Sequence, residues 1–350
     1  MCCPGARVLR LRIPAVSAAA LILMLGCAHP QGELFAPVDP PIVWPRAPET
    51  PRIRWVGQIS NSSDLKAGVP ASEVALGALR GPRPPIQLTA PSGVALLEPD
   101  LLAVTEAGAG VVHLIDLKDR THRLIFGWEG GRFKAPIGVA WADRRLFVTD
   151  AAAHTVVELD VQGRVVSHFG EDDLTRPVGI AYVASRDRLY VVDGGAHDIA
   201  VFTRAGELVS RIGGPGSEPG RFNYPTYIAW DGKDRLVVSD SGNFRVQWLS
   251  LDGQAADEFG AKGDGAGDLS LPKGIALDRD GHVYVVDARF ENVQIFEPDG
   301  RLLLAFGREG TAAGEFSLPA GLFIDKQDRI WVADSANGRI QVFEYLRSGE

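Results

Sequence analysis

Residues 272–307 read PKGIALDRDGHVYVVDARFENVQIFEPDGRLLLAFG. Four short apolar runs, 274–277, 283–286, 293–296 and 302–306, are separated by turn residues, and Asp280-Gly281 and Asp299-Gly300 are hairpin signals. This is the pattern of one four-stranded antiparallel sheet. The runs are apolar at nearly every position instead of alternating, so both faces of the sheet must be covered. A sheet of this kind cannot bury its own surface, and its sequence therefore predicts neighbours.

The neighbours lie in the same chain. The opening proline recurs as Pro91, Pro136, Pro177, Pro225, Pro272 and Pro319, and the acid closing the second run recurs as Glu106, Asp150, Asp193, Asp240, Asp287 and Asp334. Six units at spacings of 41 to 48 residues match the period of propeller blades and predict an all-β, six-bladed β-propeller. The shared text is P-x-G-[IV]-A, then [LV]-[YFW]-V-x-D, then D-x-x-N-x-R and a closing F-G. It resembles the NHL repeat, with DSGNFRVQWL from Asp240 and DSANGRIQVF from Asp334 as the best copies. The resemblance spans about residues 52–345 and implies an NHL-type propeller. It implies no activity, because one fold hosts many.

Residues 52–59 (RIRWVGQI) look like the fourth strand of a blade with no first three before it. The last repeat has the complementary defect, since only a stub, residues 346–350, follows 342–345. The N-terminal strand is therefore expected to complete the sixth blade and close the ring, which removes an exposed edge. Between residues 60 and 88 the repeat lapses; Ser72 followed by EVALGAL predicts a short capped helix in a segment crossing into blade one.

Residues 1–26 carry Arg7, Arg10 and Arg12, no acid, and an apolar run of about 13 residues, too short to span a bilayer, which reads as a signal peptide. It ends Met24-Leu25-Gly26-Cys27, which resembles a bacterial lipobox and implies lipidation of Cys27. No cysteine follows Cys27, so the mature domain has no disulfides. Residues 27–51 are rich in proline and are expected to form a semi-rigid tether, unless Phe35 and Trp44 pack on the propeller. Losing three arginines with the leader moves the net charge from -8 to about -11, which argues against nucleic acid or an anionic membrane face as partner.

The residues that break the repeat are where individual function is expected, because the fold does not dictate them. In such propellers the loops entering each blade and those joining its second and third strands emerge on one face. Arg176, Asn223, Tyr224, Tyr227, Asn243, Phe244, Arg245, Arg289 and Phe290 should converge there, and such aromatic and arginine clusters suit protein or peptide contact. Tyr227 stands out because it replaces the glycine of P-x-G.

Metal chemistry is the alternative. The segment VTDAAAHTV, residues 148–156, resembles the one carrying a zinc histidine in the propeller of peptidyl-hydroxyglycine lyases, which implies a ligand role for His154. His197 stands at the same loop position in the next blade. A catalytic zinc usually takes three protein ligands, and no third histidine occupies this position. The repeated acids also invite calcium, but an aspartate demanded in every blade is better explained by bonds to its own turn. The sequence carries no G-x-S-x-G elbow, no H-E-x-x-H, no P-loop and no cysteine nucleophile. The expectation is a lipid-anchored binding or scaffold module of a bacterial envelope, without a cofactor. The alternative is a lyase-like or lactonase-like enzyme using zinc or calcium.

Overall fold

The computed structural model describes residues 32–66, 68, 84–97, 99–128 and 131–347. The leader, Cys27 and the helix expected after Ser72 lie outside these residues. Blade five, the unit that opened the sequence reading, consists of strands Pro272–Leu277, Val283–Asp287, Asn292–Phe296 and Leu302–Phe306, paired in that order. Blades one to four repeat the arrangement, beginning at Gly93–Leu97, Pro136–Ala142, Pro177–Val183 and Pro225–Trp230. Strands are called a to d from the axis outward.

Burial follows that radial order. The b and c strands are buried on both faces, whereas d strands such as Leu208–Gly213 see solvent at most positions. Six hydrophobic clusters fill the spaces between adjacent blades. Among the described residues, the apolar core is thus divided over a ring of sheet-on-sheet contacts.

The ring closes as expected. Strand Ile53–Ile59 pairs antiparallel with Arg339–Tyr345 of blade six, from Ile53 opposite Tyr345 to Ile59 opposite Ile340. Closure extends further than the sequence predicts, because Val43–Trp44 adds a fifth strand outside Ile53–Ile59. Trp44 lies against Phe306 and Phe343 at ring-centroid distances of 5.9 and 5.8 Å, and Phe35 meets the edge of Trp331 at 6.2 Å. Gly57 makes room for Phe35, whose ring would lie 2.3 Å from a Cβ at that position. The expected tether of residues 27–51 is therefore corrected at Phe35 and at residues 42–44, which pack on the propeller because the two aromatic side chains find apolar surface there, while residues 36–41 between them are exposed. The first two residues of the stub are tied down as well. Leu346 donates its backbone N–H to Arg52, and Arg347 pairs with Asp328 and Asp280.

Candidate functional site

The repeated acids organise one face of the ring. Asp287 accepts from the backbone N–H groups of Ser270 and Leu271, just before strand a, and from those of Arg289 and Phe290 in its own b–c turn. Asp150 does the same with Lys134, Ala135, Ala152 and Ala153. Glu106, the longer acid of blade one, grips Thr89 and Ala90. The five aspartates therefore bind the loop entering each blade to its b–c loop, which fixes both on the same face, whereas Glu106 holds the entering loop.

Each b–c loop then passes through a left-handed residue that leans on the next blade. The series is Gly110, His154, His197, Phe244, Glu291 and Gly338, with φ between 53° and 61°. His197 accepts from the Tyr224 N–H through Nδ1 at 3.1 Å and meets its ring at a centroid distance of 4.4 Å, tilted by 54°. His154 bonds the Thr175 carbonyl through Nδ1. Both histidines thus serve as links between blades.

The residue immediately before the repeat proline is presented outward. In blades one to three it is Ala90, Ala135 and Arg176; in blades four to six it is Tyr224, Leu271 and Leu318. Those three are 56, 38 and 52% exposed, so half of the ring carries an apolar arc. Large apolar side chains displayed by three consecutive blades form a patch, in contrast to scattered exposed leucines. Leu271 and Leu318 were missed from the sequence. The readable signal was their alignment with Tyr224, one position before the proline.

Of the residues expected on this face, Tyr224, Arg176 and Arg289 are exposed there, and Phe244, Phe290 and Asn223 are half-buried beside them. Phe244 lies under the Lys262 ammonium at 5.1 Å. Three of the expected residues do not present their side chains. Arg245 is buried and donates to Asp240, Glu258 and the carbonyls of Ser217, Glu218 and Arg221, which exhausts its fork. Asn243 donates to Gly216 O and Asp240. Arg339 and Asn337 repeat this pairing in blade six, so it belongs to the blade.

Tyr227 is the third. Where blades one, two, five and six carry glycine, a Cβ would come within 2.1 to 2.5 Å of a carbonyl oxygen in the next blade; Gly274, for example, faces Ala320 O at 2.4 Å. Blades can approach this closely around the axis only without a side chain. Tyr227 instead reaches across the ring, and its hydroxyl donates to Ser92 O of blade one at 2.8 Å. Burial raises its pKa above the ordinary tyrosine range. Near the same level, burial holds the Lys273 ammonium below the usual lysine range.

Beyond Tyr227 lies an axial cavity of about 740 Å³, lined by the a strands and opening among the a–b turns of the opposite face, at Asp143, Gly232 and Lys326. Among the described residues, one group of three ligand-type side chains comes together: Asp278, Asp280 and His282. Asp278 there accepts from the Asp280 and His282 N–H groups and the Tyr284 hydroxyl and bonds His282 Nδ1, as Asp231 and Asp325 hold Arg235 and Arg329. It is a turn motif of the repeat. Neither His154 nor His197 belongs to such a group.

The family model of the NHL repeat matches residues 316–343, which lie mostly in blade six. No curated protein matches the sequence. Solved propellers resemble the structure at low identity. Virginiamycin B lyase from Staphylococcus aureus superposes with a TM-score of 0.56 at 16% identity, covering 74% of this chain and 96% of the lyase. A gluconolactonase from Xanthomonas campestris gives 0.56 at 18%, covering 74% and 87%. An auxiliary nutrient binding protein from Bacteroides thetaiotaomicron gives 0.57 at 12%, covering 74% and 70%. The chain is a six-bladed β-propeller with an NHL repeat, and these likenesses establish the fold alone. No helix among the described residues is long and apolar enough to cross a membrane.

Proposed function

We propose that the protein is a binding module that holds a protein or peptide segment on the face of Tyr224, Leu271 and Leu318, displayed from a bacterial envelope by lipidated Cys27. The apolar arc carries this reading. Three neighbouring blades place large apolar side chains at a position where the fold accepts alanine or arginine, and aromatic anchors of this kind dominate binding energy at interfaces. Arg176 and Arg289 supply polar contacts on the same face. The lyase-like or lactonase-like alternative has less support, because neither His154 nor His197 joins a group of metal-ligating side chains among the described residues, and His197 Nδ1, accepting from the Tyr224 N–H, leaves its proton on Nε2.

The test is site-specific photo-crosslinking in cells. A crosslinker at Tyr224 or Leu318 should give the same discrete product, and Leu271→Glu should remove it. A crosslinker at Asp119, in the c–d turn of blade one, should give none. Identical products from all three positions, or a Tyr224 product that survives Leu271→Glu, would sink the reading. Cys27→Ser should move the protein from the membrane fraction to the soluble fraction, and an unmodified mass for the parent chain would remove the anchor.

A further inference from the structure

The axial cavity is separate from the apolar arc, because Tyr227 bars the ring between them. Its walls come from six a strands, each terminal in its sheet, so N–H and C=O groups without sheet partners face the axis between apolar side chains. The residue three after the repeat glycine lines its wall in each blade. In blades two, three and four that residue is Trp141, Tyr182 and Trp230; in the other three it is Leu96, Leu277 and Ile324. At this level one half of the cavity wall is therefore aromatic and the other aliphatic, and Phe323 of blade six adds an aromatic ring to the lining.

The polar groups at the mouth already have partners. The Tyr182 hydroxyl donates to Asp187 at 2.8 Å, Arg204 pairs with Asp143 at 2.8 Å, and Asp325 is held by Arg329 and the Trp331 indole. At the closed end, the Tyr227 hydroxyl uses its proton on Ser92 O, which leaves its oxygen lone pairs as acceptors. A volume of about 740 Å³ lies within the usual range for small-molecule sites.

We infer that this cavity is a binding site for a small, uncharged, planar ring compound of the indole or phenol type. The ring lies between the aromatic and aliphatic walls, and its N–H or O–H donates to Tyr227 Oη at the closed end. A charged ligand is disfavoured, because the carboxylates at the mouth, Asp143 and Asp325, are already paired with arginines.

Indole and benzofuran test this directly, since they share a shape and differ in the N–H donor. Ligand-observed NMR titration of the full chain should show saturable binding of both, with indole about fivefold tighter, the effect of one hydrogen bond of about 1 kcal/mol. Tyr227→Phe should abolish the preference while keeping benzofuran binding. Trp230→Leu should weaken both, and Tyr224→Ser, on the other face, should change neither. Absence of saturable binding, persistence of the preference in Tyr227→Phe, or loss of binding in Tyr224→Ser would overturn the assignment. Circular dichroism and thermal melting of each variant exclude misfolding as the cause of a loss.

Discussion

Replacing Trp44 by alanine should destabilise the whole ring, although the residue lies in a proline-rich stretch outside the repeats. Trp44 is half-buried, touches Phe306 and Phe343, and covers Gly314. A fully buried tryptophan truncated to alanine costs about 3 to 5 kcal/mol, so a half-buried one should cost about 2. Ile53, fully buried one strand inward, should cost about 2 to 4 kcal/mol on truncation. Arg54, next to it and pointing outward to Glu344, should cost less than about 1, as exposed ion pairs do. Thermal melting reads these as drops of roughly 3 °C for Trp44→Ala and roughly 3 to 6 °C for Ile53→Ala, with little change for Arg54→Ala. Chemical denaturation gives the free energies. A Trp44→Ala melting temperature equal to the parent's would show that residues 43–44 are a detachable tether. An Arg54→Ala loss as large as that of Ile53→Ala would show that the strand is not held by its buried face.

Two further outcomes follow from buried polar groups. Arg339→Lys should cost about 3 kcal/mol or more in denaturant midpoint experiments, because lysine cannot serve Asp334, Gln58 and the carbonyls of Ala312 and Glu315 together; a midpoint within error of the parent would refute this role. Burial, with His113 at 2.8 Å as a second cause, lowers the His122 pKa to about 4. The unfolded chain therefore binds a proton at His122 before the folded one does, and stability should fall as pH drops from about 6.5 to about 4. The loss is at most about 3 kcal/mol and smaller after solvent screening. His122→Gln should show a shallower decline of stability over that window, and identical slopes would remove His122 as the cause.

Much of this architecture is local in origin. A blade is about 45 residues of strand and turn, its strands pair with sequence neighbours, and its aspartate grips backbone only 15 to 18 residues upstream. Prolines, Asp-Gly turns and doubly buried runs therefore made the six blades, their period and the closing strand readable from the amino-acid order. The face was legible too, as far as Tyr224, Arg176 and Arg289.

The sequence alone did not decide which way a residue that departs from the repeat would turn. Tyr227 looked like a rim contact, yet its hydroxyl partner is 135 positions away across the axis, and only the closed ring brings the two together. Arg245 looked like an exposed cation, but the loop that absorbs its donors belongs to the preceding connection. The proline-rich stretch looked like a tether because its composition favours extension, and Phe35 and Trp44 found apolar surface only once blade six existed. Strand pairing and turn chemistry act between near neighbours and can be read along the chain. The direction of an individual side chain is set by whichever surface lies nearest in space, and in a ring that surface belongs to another blade.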